Sequence, residues 1–107
     1  MDVRLTTMFG APLERIIGEA YFPVTIGRGE HADVSLDDRW VSRVHCLISM
    51  ESDRVFVRDL ESKHGTYVNE ERIDQVELKA GDLLSVGLCT LAVEFQETDS
   101  HIRGIQQ

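Results

Sequence analysis

Ser42-Arg43-Val44-His45 and Asp59-Leu60-Glu61-Ser62-Lys63-His64-Gly65-Thr66-Tyr67-Val68-Asn69 decide how this sequence is interpreted, together with Gly27-Arg28 shortly before them. Each stretch is rich in hydrogen-bond donors and lies beside an alternating apolar run. Arginine offers a planar set of N–H donors, a hydroxyl adds a directed bond, and glycine-bearing loops present backbone amides. Arg28, Ser42, Arg43 and Lys63 together therefore suit a doubly charged phosphate monoester. No obvious nucleophile accompanies them.

The composition indicates one small globular domain. The chain has 107 residues, of which 42% are hydrophobic and 28% charged, and this length supports a single core. No apolar run approaches the ~18 residues that a membrane span requires. The N-terminus lacks the cationic head and apolar segment of a secretory signal. We therefore expect a cytoplasmic protein that does not contact a membrane and that uses no cofactor.

Charge and metal-ligating residues exclude two further classes of function. The formal net charge of −8 argues against nucleic acid as a partner, because binding the phosphate backbone requires a basic face. A phosphate ligand would have to be captured by a local positive pocket. The histidines are dispersed, His31 and His101 among them, so no metal site is expected. Cys46 and Cys89 lie within apolar strand patterns, and we expect reduced core thiols.

The apolar periodicity predicts an all-β fold. Short runs that alternate with a period of two recur along the chain with turn residues between them, which is typical of an antiparallel sandwich or barrel. The one helical piece expected is short, near residues 37–40, and Lys79-Ala80-Gly81-Asp82 is interpreted as a hairpin turn. Residues 1–97 form the predicted domain. Residues 98–107 are polar and uneven, which indicates a tail or linker.

The order of the motifs resembles that of the forkhead-associated (FHA) domain. Gly27-Arg28, the two stretches quoted above, Asp33-Val34-Ser35-Leu36 and Gly81-Asp82-Leu83-Leu84-Ser85-Val86-Gly87 follow that family's order, so the resemblance extends from about Val3 to Phe95. It implies a sandwich of two antiparallel sheets with about eleven short strands and with the recognition loops at one end. His64 departs from the pattern, because the family usually has asparagine there.

The resemblance also implies roles for the donor residues. Arg28 would pair with the phosphate, and the Ser42 hydroxyl would be a second phosphate donor, unless Ser42 is an ordinary turn serine that bonds its own backbone. Lys63 would reach the phosphate as a point charge. Arg43 either adds long-range attraction or faces water. His64 would contact the peptide main chain, although an imidazole keeps only part of the grip of an amide.

The remaining motif residues are expected to support the loops. In the family, the histidine at the position of His45 is buried and braces the loop that carries the serine. A catalytic pair with Ser42 is not supported, because three residues of separation in an extended segment place the two side chains on opposite faces. Trp40 either packs under its loop or flanks the peptide. The other expected supports are Gly27, Ser62, Gly65, Thr66 and Asn69.

These expectations define a binding module without enzymatic activity. The partner would be a protein or peptide that carries a phosphothreonine, placed there by a Ser/Thr kinase, and it would bind as a short extended segment across the loops. The alternative is a phosphate-independent assembly or dimerisation domain of the same fold, which would pair through a sheet face.

Overall fold

A computed structural model describes residues 1–10 and 12–97; the predicted tail or linker at 98–107 lies outside these residues. The described chain forms eleven strands and one short 3₁₀ turn, Glu19–Tyr21. No helix in this part of the chain is long and apolar enough to cross a membrane. The strands are β1 (Asp2–Phe9), β2 (Glu14–Ile17), β3 (Val24–Gly27), β4 (Val34–Ser35), β5 (Cys46–Glu51), β6 (Arg54–Asp59), β7 (Thr66–Val68), β8 (Glu71–Ile73), β9 (Gln75–Leu78), β10 (Leu83–Val86) and β11 (Cys89–Gln96).

The strands form two sheets, and the predicted all-β sandwich is confirmed. One sheet has six strands in the order β2-β1-β11-β10-β7-β8, and the other has five in the order β4-β3-β5-β6-β9. The six-stranded sheet is antiparallel throughout. The five-stranded sheet is mixed, because β3 and β4 pair in parallel. This pair corrects the expectation of two purely antiparallel sheets.

The core lies between the sheets and follows the period-two pattern of the sequence. Alternate residues such as Leu5, Ile48 and Leu91 are fully buried, because successive side chains of a strand point to opposite faces. The two cysteines are also buried thiols, as the sequence predicted. Burial raises the pKa of the Cys46 thiol to about 12, so this thiol stays protonated and unreactive at neutral pH.

Two local predictions are wrong. Residues 37–40 do not form a helix: Asp38 accepts the Trp40 amide on its side chain at 2.8 Å and the Val41 amide on its carbonyl at 2.9 Å, which makes a turn. Aspartate competes with helix formation in this way. The turn at Lys79–Asp82 closes with a 3.0 Å backbone bond, but β9 and β10 belong to different sheets. It is therefore a crossover between the sheets and not a hairpin.

The recognition loops gather at one end of the sandwich. The loop that precedes β5 is bonded to the end of β3 through the Arg28 amide and the Ser42 carbonyl, 2.9 Å apart. The β10–β11 turn joins the same end, since the Leu88 amide donates to the Asp38 carboxylate at 2.8 Å. At the opposite end, Asp2 of β1 pairs with Gln96 of β11.

Candidate functional site

Gly27 lies where the backbone of β3 meets the loop that precedes β5. A Cβ atom on Gly27 would stand 1.9 Å from the Arg43 carbonyl oxygen and 2.7 Å from its carbon, so no side chain fits. The close approach is continued by the Gly29 amide, which donates to the Arg43 carbonyl at 3.2 Å. Glycine at position 27 therefore allows the chain to carry Arg28 directly beneath the Ser42 loop.

The Arg28 guanidinium is hydrogen-bonded within the domain through one nitrogen, and its other two nitrogens remain available to a ligand. Its Nε donates to the Val41 carbonyl oxygen at 2.9 Å, and no other side-chain hydrogen bond or ion pair involves it among the described residues. The bond fixes the direction of the guanidinium. The two terminal nitrogens keep N–H donors on their outer edge, in the spacing that matches two oxygens of a phosphate.

Ser42 connects the two recognition loops. The Lys63 backbone amide donates to Ser42 Oγ at 3.0 Å, so this hydroxyl does not bond its own turn. Because Oγ is the acceptor in this bond, its own hydrogen remains available to a ligand. The Lys63 ammonium group is exposed and has no ion-pair partner in the described part of the chain.

His45 is fully buried beneath these loops. Its Nδ1 accepts the Ser42 amide at 3.0 Å, and its Nε2 lies 2.8 Å from the Gly65 carbonyl oxygen. Since Nδ1 is the acceptor, the hydrogen of the neutral ring is assigned to Nε2, which donates to Gly65. Both ring nitrogens are thus occupied by backbone groups. The imidazole is not bonded to the Ser42 hydroxyl.

Asp59 organises the second loop and was not among the predicted site residues. Its Oδ1 accepts the Ser62 hydroxyl at 2.5 Å and the Thr66 hydroxyl at 2.7 Å, and its Oδ2 accepts the Ser62 amide at 3.2 Å. Ser62 Oγ in turn accepts the Gly65 amide at 2.9 Å. Burial raises the pKa of the Asp59 carboxyl, but the bonds from Ser62 and Thr66 outweigh it and lower the pKa below its usual value. Aspartate is a common turn residue, because its side chain bonds nearby backbone groups.

Trp40 and His64 close one side of the space between the loops. Their ring centroids are 5.0 Å apart with an interplanar angle of 72°, an edge-to-face contact. The Arg39 guanidinium carbon lies 5.8 Å from the centroid of the Trp40 ring. Trp40 is 43% exposed. It therefore lines the cleft and is not packed under its loop, which corrects the position that the sequence favoured.

A cleft of about 290 Å³ results from these contacts. It brings together four of the predicted contact residues, Arg28, Ser42, Lys63 and His64, and adds Arg39, Trp40 and Val41. Arg43 is exposed and does not line the cleft. Asn69 is also elsewhere: its side chain accepts the Leu83 amide at 2.9 Å and donates to Asp82 at 3.0 Å, which ties the β7–β8 turn to β10. No acidic side chain is among the described residues that line the cleft.

Comparisons with known proteins agree with this architecture. The family model of the FHA domain matches residues 24–87, a segment that contains every residue of the cleft. The glycogen accumulation regulator GarA of Mycobacterium tuberculosis is 41% identical over 61 residues, which are 57% of this chain and 38% of that protein. This chain therefore corresponds to less than half of GarA.

Solved structures extend the similarity to the whole sandwich. A chain from a study of phosphothreonine-dependent FHA domain interactions superposes with a TM-score of 0.82 at 28% identity, over 92% of this chain and all of that one. The FhaA FHA domain, complexed with the intracellular domain of Rv3910, superposes with a TM-score of 0.78 at 30% identity, over 86% of this chain and 99% of that one. With the family match covering more than half of the sequence, the chain belongs to the FHA domain family.

Proposed function

We propose that this domain binds phosphothreonine-containing segments of partner proteins and performs no chemistry on them. One observation carries the proposal: three donor groups that still have hydrogens available for hydrogen bonds converge on one cleft. These are the terminal nitrogens of Arg28, the hydroxyl of Ser42 and the ammonium of Lys63. A phosphate dianion accepts charge-assisted bonds from all three.

The hydrogen bonds around the cleft support a binding function in preference to a catalytic one. The histidine closest in sequence to Ser42, His45, has both ring nitrogens bonded to backbone groups, so this ring is not placed to activate the Ser42 hydroxyl. The related FHA structure from the study of phosphothreonine-dependent interactions supports the choice of ligand. Lys63 and Arg28 hold the phosphate, and His64 lies where the peptide main chain passes.

The test is a calorimetric titration of one phosphothreonine peptide and its unphosphorylated twin, first against the parent domain. We expect binding of the phosphorylated peptide alone. Arg28→Ala should then weaken binding by about 2–4 kcal/mol, as for removal of one partner of a close charge pair. Arg15→Ala, on β2 and outside the cleft, is the control and should bind as the parent does. A folded Arg28→Ala variant with parental affinity would refute the site.

A second candidate, phosphate-independent assembly, is favoured by the outer face of the six-stranded sheet. Thr6, Ala92 and Leu83 lie side by side across β1, β11 and β10, and Leu83 is 39% exposed. These residues present an uncharged strip on an acidic protein. Sedimentation equilibrium decides the matter: a dimer that Leu83→Glu dissociates would support assembly, and a monomer at all concentrations would reject it.

A further inference from the structure

The cleft carries positive charge that nothing in the described chain neutralises. Nineteen acidic residues outnumber eleven basic ones in the sequence, so carboxylates are available to neutralise a cluster of basic side chains. The ion pairs among residues 1–10 and 12–97 nevertheless lie elsewhere, at Met1–Glu19, Arg4–Glu14, Arg54–Glu77 and Lys79–Glu77. Arg28, Arg39 and Lys63 all line the cleft without an acidic partner.

The acidic residue nearest in sequence to these cations is directed away from them. Asp38 precedes Arg39, but its carboxylate accepts the backbone amides of Trp40 and Leu88, each at 2.8 Å. Burial raises the pKa of Asp38, but the bonds from Trp40 and Leu88, together with the contact of the Cys89 thiol, lower it below its usual value, so the carboxylate stays charged. The Asp38 carboxylate therefore ties the loop before β5 to the β10–β11 turn, and it does not neutralise the cations of the cleft.

The positive charge in the cleft exceeds the negative charge that one phosphate carries. Three unpaired cations face a phosphothreonine that carries about −1.5 to −2 at neutral pH. Arg28 and Lys63 account for that charge, and they are joined to Ser42 at the centre of the cleft through the Val41 carbonyl and the Lys63 amide. About one positive charge, that of Arg39, is left over.

Arg39 is oriented although it is exposed. Its guanidinium carbon stands 5.8 Å from the Trp40 ring centroid, within the range of a cation–π contact. Trp40 is itself in edge-to-face contact with His64 of the other loop. This contact uses none of the guanidinium N–H groups as hydrogen-bond donors to an oxygen, so they remain available for hydrogen bonds to a ligand.

We propose that Arg39, oriented by Trp40, selects phosphothreonine segments that carry an acidic residue close to the phosphothreonine. This inference rests on the proposed function, since the phosphate must occupy the centre of the same cleft. A single carboxylate matches the one remaining charge. A second phosphate would bring up to two negative charges and exceed it.

The experiment uses a phosphothreonine peptide in which all neighbouring residues are alanine. Glutamate replaces alanine at one position at a time over three residues on each side, and lysine replaces it in a parallel series. For the parent domain, glutamate at one or two adjacent positions should tighten binding about threefold to fivefold, the range of a partly exposed ion pair. Lysine at those positions should weaken it.

Two variants assign the effect to Arg39. Arg39→Gln should bind the glutamate and alanine peptides equally while it still requires the phosphate. Arg58→Gln makes the same change in net charge, but Arg58 lies on β6 and outside the cleft. It should therefore keep the preference for glutamate. Trp40→Leu should reduce that preference, because the aromatic ring that contacts Arg39 is lost.

The outcomes separate this inference from the proposed function. If the alanine phosphopeptide binds no better than its unphosphorylated twin, the proposed function itself fails. If phosphate dependence holds but no glutamate position tightens binding, the role of Arg39 is refuted. It is equally refuted if the gain survives in Arg39→Gln or disappears in Arg58→Gln.

Discussion

His45 Nε2 lies 2.8 Å from the carbonyl oxygen of Gly65, a residue twenty positions further along the chain. The same ring accepts the Ser42 amide on Nδ1 at 3.0 Å. One buried imidazole therefore fixes the separation between the loop before β5 and the loop before β7. The Ser42 hydroxyl and the Lys63 amide meet above it, and the width of the cleft depends on this contact.

Removing the imidazole should therefore lower stability. For His45→Ala we expect the free energy of unfolding to fall by about 1–3 kcal/mol, because the Ser42 amide and the Gly65 carbonyl lose their buried partner and a void remains. Urea denaturation followed by tryptophan fluorescence measures this change. A variant with parental stability but no affinity for phosphopeptide would place His45 in the contact surface instead.

Gly27 and Gly29 form a matched pair for testing the close approach of the backbone. Gly27→Ala would put a methyl group 1.9 Å from the Arg43 carbonyl oxygen, whereas the corresponding distance at Gly29 is 3.5 Å, an ordinary contact. We expect Gly27→Ala to cost several kcal/mol or to prevent folding, in the manner of severe overpacking. Gly29→Ala should fold with a melting temperature near that of the parent. Similar melting temperatures for both variants would contradict the geometry.

The lowered pKa of Asp59 predicts a specific acid sensitivity. A carboxyl group whose folded pKa lies below its unfolded value of about 3.9 contributes stability above that value. The contribution is lost as the pH falls through the folded pKa. Because burial opposes the shift and the bonds from Ser62 and Thr66 cause it, Asp59→Ala should remove this part of the acid dependence. It should also cost about 1–3 kcal/mol at pH 7.

Urea titrations of the parent and the Asp59→Ala variant between pH 2 and 7 check this expectation. Glu77 provides a second acid-sensitive group: its bonds to Arg54 and Lys79, together with the charges of both, lower its pKa to about 2 against the opposing effect of desolvation. It lies on β9, outside the cleft. Glu77→Gln should therefore leave the Asp59 component unchanged. Parallel stability curves for parent and Asp59→Ala across the acid range would argue against the assignment.

His64 allows the departure from the family pattern to be tested directly. His64→Asn should tighten phosphopeptide binding by about 0.5–1.5 kcal/mol, the value of one hydrogen bond, because an amide offers a donor and an acceptor on one fork. His64→Phe keeps a ring beside Trp40 but has no hydrogen-bonding nitrogen, so it should show no gain.

Calorimetry of the three proteins at one pH, with a common peptide in a sulfate-free buffer, makes the comparison, because the charge of the phosphate is then the same in every titration. Equal or weaker binding by His64→Asn would mean that the imidazole is already a productive contact or is committed to Trp40.

The sequence predicted those features that depend on local pattern. The period-two alternation of residues such as Leu91 and Val93 identifies strands, because one face of each strand is buried. Donor-rich loops identified Arg28, Ser42, Lys63 and His64, which the structure brings to one cleft. The mixed β3–β4 pair and the crossover at Gly81 were missed, because the partner of a strand depends on contacts remote in sequence.

The missed site residues have a similar explanation. Nothing beside Arg39 in the sequence reveals that Trp40 meets His64 of another loop, since that contact exists only after the loops are placed together. Asp59 had a local signal as a common turn residue, but its bonds from Ser62 and Thr66 form only once the loop has folded. Arg43 was predicted to bind phosphate because of its charge. In the structure it is the backbone carbonyl of Arg43, packed against Gly27, that lies nearest the site.

The pairing of Asp2 with Gln96 determines where a support, a label or a second protein can be attached without covering the cleft. Both residues lie at the end of β1 and β11 that is remote from the cleft, and an eight-residue strand spans roughly 26 Å. A resin, a fluorophore or a fused protein joined before residue 2 or after residue 96 thus leaves the recognition loops pointing outward. Immobilisation through either position keeps the cleft open to a ligand in solution, and a segment joined there must cross the full length of the sandwich before it can reach Arg28.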